Sequence, residues 1–109
     1  MLTASGKQAF LDGDARGAIT LLQRSIQIDP TQPMAFSWLS QALARQERLP
    51  EAIDASEKAT SLNQFDPLLH KALIEQLVAA KDYPKALAAL QLYMELFPED
   101  AQMLAMVSQ

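Results

Sequence analysis

The prolines constrain this chain more than any other feature. Pro33 and Pro67 are 34 residues apart, as are Pro50 and Pro84, and Pro30 and Pro98 are separated by 68, twice that spacing. Proline has no amide hydrogen and clashes with the preceding turn, so it sits at the first turn of a helix or between helices. Breaks that return at one phase imply one structural unit repeated along the chain. The 109 residues hold three such units, about 1–32, 33–66 and 67–100, and the beginning of a fourth at Ala101–Gln109.

Other residues keep the same period. Ala18, Ala52 and Ala86 form one series, Ile19, Ile53 and Leu87 the next, and Ile28, Leu62 and Leu96 a third. Leu39 pairs with Leu73, Leu43 with Leu77, and Asp14 with Asp82. Within a unit, apolar residues recur three and four apart, as in Phe36, Leu39 and Leu43, which is the mark of an amphipathic helix. Pro33, Pro50, Pro67 and Pro84 suit helix starts, and Asp66 and Asp100 suit N-caps. No segment alternates with period two, so strands are not expected. The spacing predicts helices near 2–12, 15–28, 33–46, 50–62, 67–80, 84–97 and 100–108. Their short connections make neighbours antiparallel.

Composition removes several classes of function. The chain has 9 Lys and Arg against 13 Asp and Glu, a net charge of −4. That is not the footprint of a general nucleic-acid binder. There is no cysteine, which excludes disulfides, thiolate metal sites and cysteine nucleophiles. No apolar run approaches the roughly 18 residues of a membrane span, and the first ten residues lack the pattern of a signal peptide. The compartment stays open, with cytoplasm slightly favoured over periplasm.

The units resemble the tetratricopeptide repeat. The first gives Leu2, Ser5-Gly6, Ala9, Ala18, Leu22 and Pro30; the second Phe36, Leu39-Ser40, Leu43, Ala52, Ser56, Ala59 and Gln64. The third gives His70, Leu73-Ile74, Leu77, Ala86, Leu90, Tyr93 and Pro98. The resemblance implies an all-α, right-handed helical solenoid of antiparallel helix-turn-helix hairpins. It also implies close helix crossings at small residues, with Ala18, Ala52 and Ala86 facing Gly6 and Ser40. The third unit departs from the pattern, since Ile74 stands in a small-residue slot and Tyr93 in an alanine slot. Overpacking of this kind costs about 1–3 kcal/mol. The third hairpin is therefore expected to be more open, or Tyr93 to lean toward the final helix.

In that family the first helix of each pair lines a concave groove that binds peptides. Carried over by the period, the groove here would present Lys7 and Phe10, then Met34, Trp38, Gln41 and Arg45, then Leu68, Lys71 and Glu75. Trp38, the only tryptophan, would be its main anchor. The alternative role for Trp38 is packing between hairpins. Lys7, Arg45 and Lys71 would give a basic rim suited to a peptide with an apolar anchor and an acidic group. A subtype that grips chaperone C-termini uses a basic clamp of Lys and Asn on the first inner helix, Asn on the second, and Lys and Arg on the third. Its slots here hold Thr3, Lys7, Trp38, Leu68 and Ala72, which do not match it.

Catalysis and metal binding find little support. His70, the single histidine, has no His or Cys companion and falls in a packing slot. Asp12 and Asp14 flank Gly13 but lack the rest of a calcium loop, and read better as a turn with Asp14 capping the second helix. No cofactor is implied. The expected function is non-catalytic binding of a protein or peptide partner, without nucleic acid or membrane insertion. Two alternatives remain: a homodimer formed through the apolar C-terminal stripe Met103–Val107, or an accessory repeat segment of a larger protein or enzyme.

Overall fold

The structure is a computed structural model and describes residues 2–100. Six helices follow one another: α1 (Leu2–Leu11), α2 (Ala15–Ile28), α3 (Pro33–Arg45), α4 (Leu49–Leu62), α5 (Pro67–Ala79) and α6 (Tyr83–Leu96). A further helical turn opens at 98–100. The boundaries of these six helices fall within a residue of those predicted; the seventh, predicted at 100–108, lies almost wholly outside the described residues, and Asp100, predicted as its N-cap, falls inside the turn at 98–100. Pro33 and Pro67 are the first residues of α3 and α5, and Pro50 and Pro84 are the second residues of α4 and α6. The stripe at Met103–Val107 lies outside the described residues.

Each helix packs on the next, and the molecule extends over 41 × 24 × 22 Å, as a stack of repeats should. The three hairpins α1–α2, α3–α4 and α5–α6 form an all-α, right-handed solenoid.

The turns within the hairpins repeat atom for atom. Gly13, Glu47 and Lys81 donate their amides to the carbonyls of Phe10, Ala44 and Val78. Their successors Asp14, Arg48 and Asp82 reach back to Ala9, Leu43 and Leu77. This is the double bond that closes a helix through a left-handed residue. That residue has φ 91° at Gly13 and 61° at both Glu47 and Lys81. Asp14 then caps α2 by accepting from the Gly17 amide at 2.9 Å, and Asp82 caps α6 through the Lys85 amide. The Asp12–Asp14 turn is thus structural: Asp12 accepts from Gln8 Nε2, and Asp14 holds a helix start. Arg48, the equivalent of these two caps, gives no side-chain cap and pairs with Glu51 instead.

The close crossings differ in detail from expectation. Ala18, Ala52 and Ala86 are buried as predicted. Yet the side chain nearest to Gly6 is that of Leu22, whose Cγ would stand 2.5 Å from a Cβ added there. Ser40, one period later, meets Ser56, one period after Leu22. Periodicity identifies equivalent positions but not which equivalents touch.

The core divides into two clusters. The larger joins Phe10, Ile19, Leu22, Leu39, Leu43 and the alanines around them, with Trp38 packed on its edge. The smaller joins Leu73, Leu77 and Ala86, with Ile53 and Ala89 against it. Between them lies a closed polar ring. Ser56 Oγ donates to Gln76 Oε1 at 2.6 Å, Gln76 Nε2 donates to Ser40 Oγ at 2.5 Å, and Ser40 completes the ring to Ser56 at 2.5 Å. All three side chains are buried, and no buried side-chain polar atom among the described residues lacks a partner. At the preceding seam the equivalent positions are Gly6, Leu22 and Ala42, all apolar. One seam is therefore dry and the next hydrogen-bonded, on the same backbone plan.

The third hairpin carries the predicted bulk. Tyr93 is only 1% exposed and stacks with His70 and Phe97, its ring centroid 6.4 Å and 5.1 Å from theirs. Its hydroxyl donates to Asp100, so it does lean toward the next helical turn. The helices α5 and α6 also pack less extensively than α3 and α4. His70 Nε2 lies 2.7 Å from the Gln64 carbonyl oxygen and is buried, which makes it a packing residue.

Candidate functional site

The first helices of the three hairpins share one side of the stack. The helix α1 packs directly on α3, whereas α3 and α5 barely meet. That divergence leaves a groove of about 660 Å³. Its walls are Phe10 at the end of α1, Gln41, Ala44 and Arg45 at the end of α3, and Leu68, Lys71, Ala72, Glu75 and Gln76 along α5. Helical spacing explains the wall on α5, where residues 68, 71, 72, 75 and 76 form one stripe three and four apart.

Six of the nine predicted residues therefore come together: Phe10, Gln41, Arg45, Leu68, Lys71 and Glu75. Lys7, Met34 and Trp38 do not line this cavity. Met34 is exposed at the start of α3, and Lys7 is exposed on α1. Trp38 is half-buried against the larger core cluster and stacks on Phe10 at 5.6 Å between centroids. It supports the floor from behind.

Cations lie on aromatic rings along this face. The Arg45 guanidinium carbon is 4.2 Å from the Phe10 centroid, Lys7 Nζ is 5.5 Å from that of Trp38, and Lys71 Nζ is 5.8 Å from that of Tyr93. Such contacts hold a positive charge over a ring by its quadrupole. Only two ion pairs occur among the described residues, Arg48–Glu51 and Lys71–Asp100, the latter at 3.5 Å. Arg45 on the groove wall and Lys7 over Trp38 thus have no carboxylate partner among the described residues.

The Lys71 cluster perturbs its members. The Lys71 ammonium is held above its ordinary value, chiefly by the adjacent Tyr93 hydroxyl, with Asp100 adding. The Asp100 carboxyl is pulled below the ordinary carboxylate value, chiefly by the hydrogen bond from Tyr93 and further by Lys71. Burial pushes the Tyr93 phenol up, and the bond to Asp100 adds to that.

Sequence reasoning missed Ala44, Ala72 and Gln76 on the walls. Ala44 and Ala72 are small and carry no signal of their own. Gln76 did carry one, being a polar residue at a position whose equivalent is Ala42. Thr3, a slot of the chaperone clamp, is occupied internally: its hydroxyl bonds to Ser25 Oγ and Gln32 Oε1. No helix among the described residues is long and apolar enough to cross a membrane.

A helical-hairpin stack with period 34 and a groove between its first helices defines a class of repeat protein. The Tetratricopeptide repeat model matches residues 9–77, more than half of the chain. The chain belongs to the tetratricopeptide repeat family, whose repeats build protein-interaction modules. No curated protein sequence matches it. Among solved structures, MamA is similar at 25% identity and a TM-score of 0.82, over 89% of this chain and 57% of that one. The first TPR domain of Spaghetti (RPAP3), bound to an HSP90 peptide, is similar at 22% identity and a TM-score of 0.79, over 99% and 90%. The TPR2B domain of yeast Sti1 in complex with pHsp70 follows at 24% identity and 0.81, over 90% and 78%. The chain thus spans little more than half the length of the MamA chain.

Proposed function

We propose that the groove between α1, α3 and α5 binds an extended peptide segment of a partner protein, with an apolar and an acidic residue as its recognised features. The observation that carries this reading is the open cavity itself. It is bounded by an exposed Leu68 (69% exposed) on one wall and by Arg45 laid over Phe10 on the other. Apolar clefts with a few placed polar groups are the usual form of binding sites. The RPAP3 and Sti1 domains, which share the fold, hold HSP90 and Hsp70 peptides. The clamp of the chaperone-binding subtype is not matched at its slots here, so a different peptide is the better reading. The role is one of binding without catalysis: His70 is committed to packing and to the Gln64 carbonyl. Peptides selected from a display library on the wild-type protein should lose at least tenfold in affinity for Leu68→Ala and Arg45→Ala. Unchanged affinity in both would discard the groove.

A second reading is self-association through the C-terminal residues. One observation favours it. Leu87 and Met94 on α6 are 57% and 46% exposed, while the equivalent Ile19 and Thr60 are buried. Light scattering over a range of concentrations separates the two: a constant monomer mass removes self-association, and a dimer dissociating on Leu87→Glu supports it.

A further inference from the structure

Resting on the groove reading above, we infer that the acid-binding subsite is Arg45, mounted on Phe10, and that Lys71 is excluded from it. Three cations lie on this face, and each sits over an aromatic ring. Their carboxylate partners separate them. Lys71 is already paired with Asp100 at 3.5 Å, and Asp100 is held in place by the Tyr93 hydroxyl. A ligand carboxylate approaching Lys71 meets a charge that is compensated and an anion that repels it. One approaching Arg45 meets a guanidinium that lies over the Phe10 ring and has no carboxylate partner among the described residues, a group suited to bidentate contact with a carboxylate.

Glu75 adds direction. Among the described residues it is the one carboxylate lining the groove, and it stands on the α5 wall with Leu68. It drives a ligand acid away from α5 and toward α1 and α3, while Leu68 offers an apolar surface. The groove is therefore polarised. The partner it fits is an extended protein segment with a carboxylate side chain over Arg45 and an aliphatic side chain a few residues away over Leu68.

The test uses two probe peptides, acetylated and amidated heptapeptides with a single Glu, or a single Gln, between two Leu residues. Binding is read by nitrogen-15 NMR through the Arg45 Nε–H and Trp38 Nε1–H signals, on wild type and on Arg45→Gln, Lys71→Gln and Glu75→Gln. All three substituted side chains are exposed, so the fold is retained. The Glu peptide should bind about two- to fivefold more tightly than its Gln twin, as for a partly exposed charge contact. Arg45→Gln should erase that preference, Lys71→Gln should keep it, and Glu75→Gln should enlarge it. If Lys71→Gln erases the preference and Arg45→Gln keeps it, the subsite is at Lys71 and this proposal fails while the groove survives. If neither peptide moves any groove signal, the proposal and the groove reading fall together.

Discussion

Three equivalent turns make a controlled experiment on backbone strain. Residues 13, 47 and 81 occupy the same position in their hairpins and share the same hydrogen bonds, yet only the first is glycine. Glu47 and Lys81 hold φ at 61°, a region that costs an L-residue roughly 1–2 kcal/mol. Replacing either with glycine removes that cost but raises the entropy of the unfolded chain, which takes back about 0.4–1 kcal/mol. The net expectation is a gain of about 0.5–1 kcal/mol for each of Glu47→Gly and Lys81→Gly. The reverse substitution, Gly13→Ala, should cost a similar amount. Beyond the residue itself and its two chain neighbours, nothing lies within 4 Å of the Cβ it would introduce, so the cost comes from the backbone and not from collision. Chemical denaturation gives the free energies directly. Thermal melting should shift by several degrees, at about 4–8 °C per kcal/mol for a domain near this size. The sites are far apart, so the two gains should add. A destabilised Glu47→Gly and Lys81→Gly, or a neutral Gly13→Ala, would refute the reading of these turns as strained left-handed caps.

Further predictions follow from the core and the third hairpin. Ser56→Ala opens the polar ring and leaves Gln76 short of a donor, at a cost of about 1–3 kcal/mol by denaturant unfolding. The triple change Ser40→Gly, Ser56→Leu and Gln76→Ala copies the dry seam one repeat earlier, and should cost less than Ser56→Ala alone. Gly6→Ala should destabilise by about 1–2 kcal/mol through collision with Leu22, and Leu22→Ala in the same chain should relieve part of that clash. Asp100 has a folded-state pKa below the ordinary 3.8, so its contribution to stability is complete above that value and is lost as pH falls through the lower folded one. The difference in melting temperature between wild type and Asp100→Asn should therefore be present at neutral pH and vanish in acid. A difference that grows in acid would contradict the Tyr93–Asp100–Lys71 assignment.

The helices were legible because proline and period together leave little freedom. A missing amide fixes where a helix starts, and a 34-residue repeat transfers each reading to two more places. Tyr93 was legible for the same reason: bulk in an alanine slot must go somewhere, and it goes toward Asp100. Pairing was less accessible. Gly6 was expected opposite Ala18 and instead makes room for Leu22, because helix equivalence does not specify crossing geometry. The polar ring was hidden because Ser40, Ser56 and Gln76 lie 16 and 20 residues apart, and none of them, taken alone, points to the other two. Phe10, Gln41, Arg45, Leu68, Lys71 and Glu75 lie along one cavity because residues three and four apart share a helix face and the period carries that face from unit to unit. Trp38 drew attention by its size, but size also makes a ring useful as packing, and it stacks behind Phe10. The placement of Arg45 on Phe10 depends on side-chain direction at two helix ends, which periodicity does not encode.

The most direct test of the account compares the two faces of the solenoid with one ligand. A peptide selected on the wild-type protein should be measured by calorimetry against Leu68→Ala and Arg45→Ala in the groove, and against Arg24→Ala and Leu92→Ala on the second helices. The account predicts a loss of tenfold or more for the groove pair and less than about twofold for the other pair. Loss confined to Arg24→Ala or Leu92→Ala would place recognition on the opposite face and contradict it.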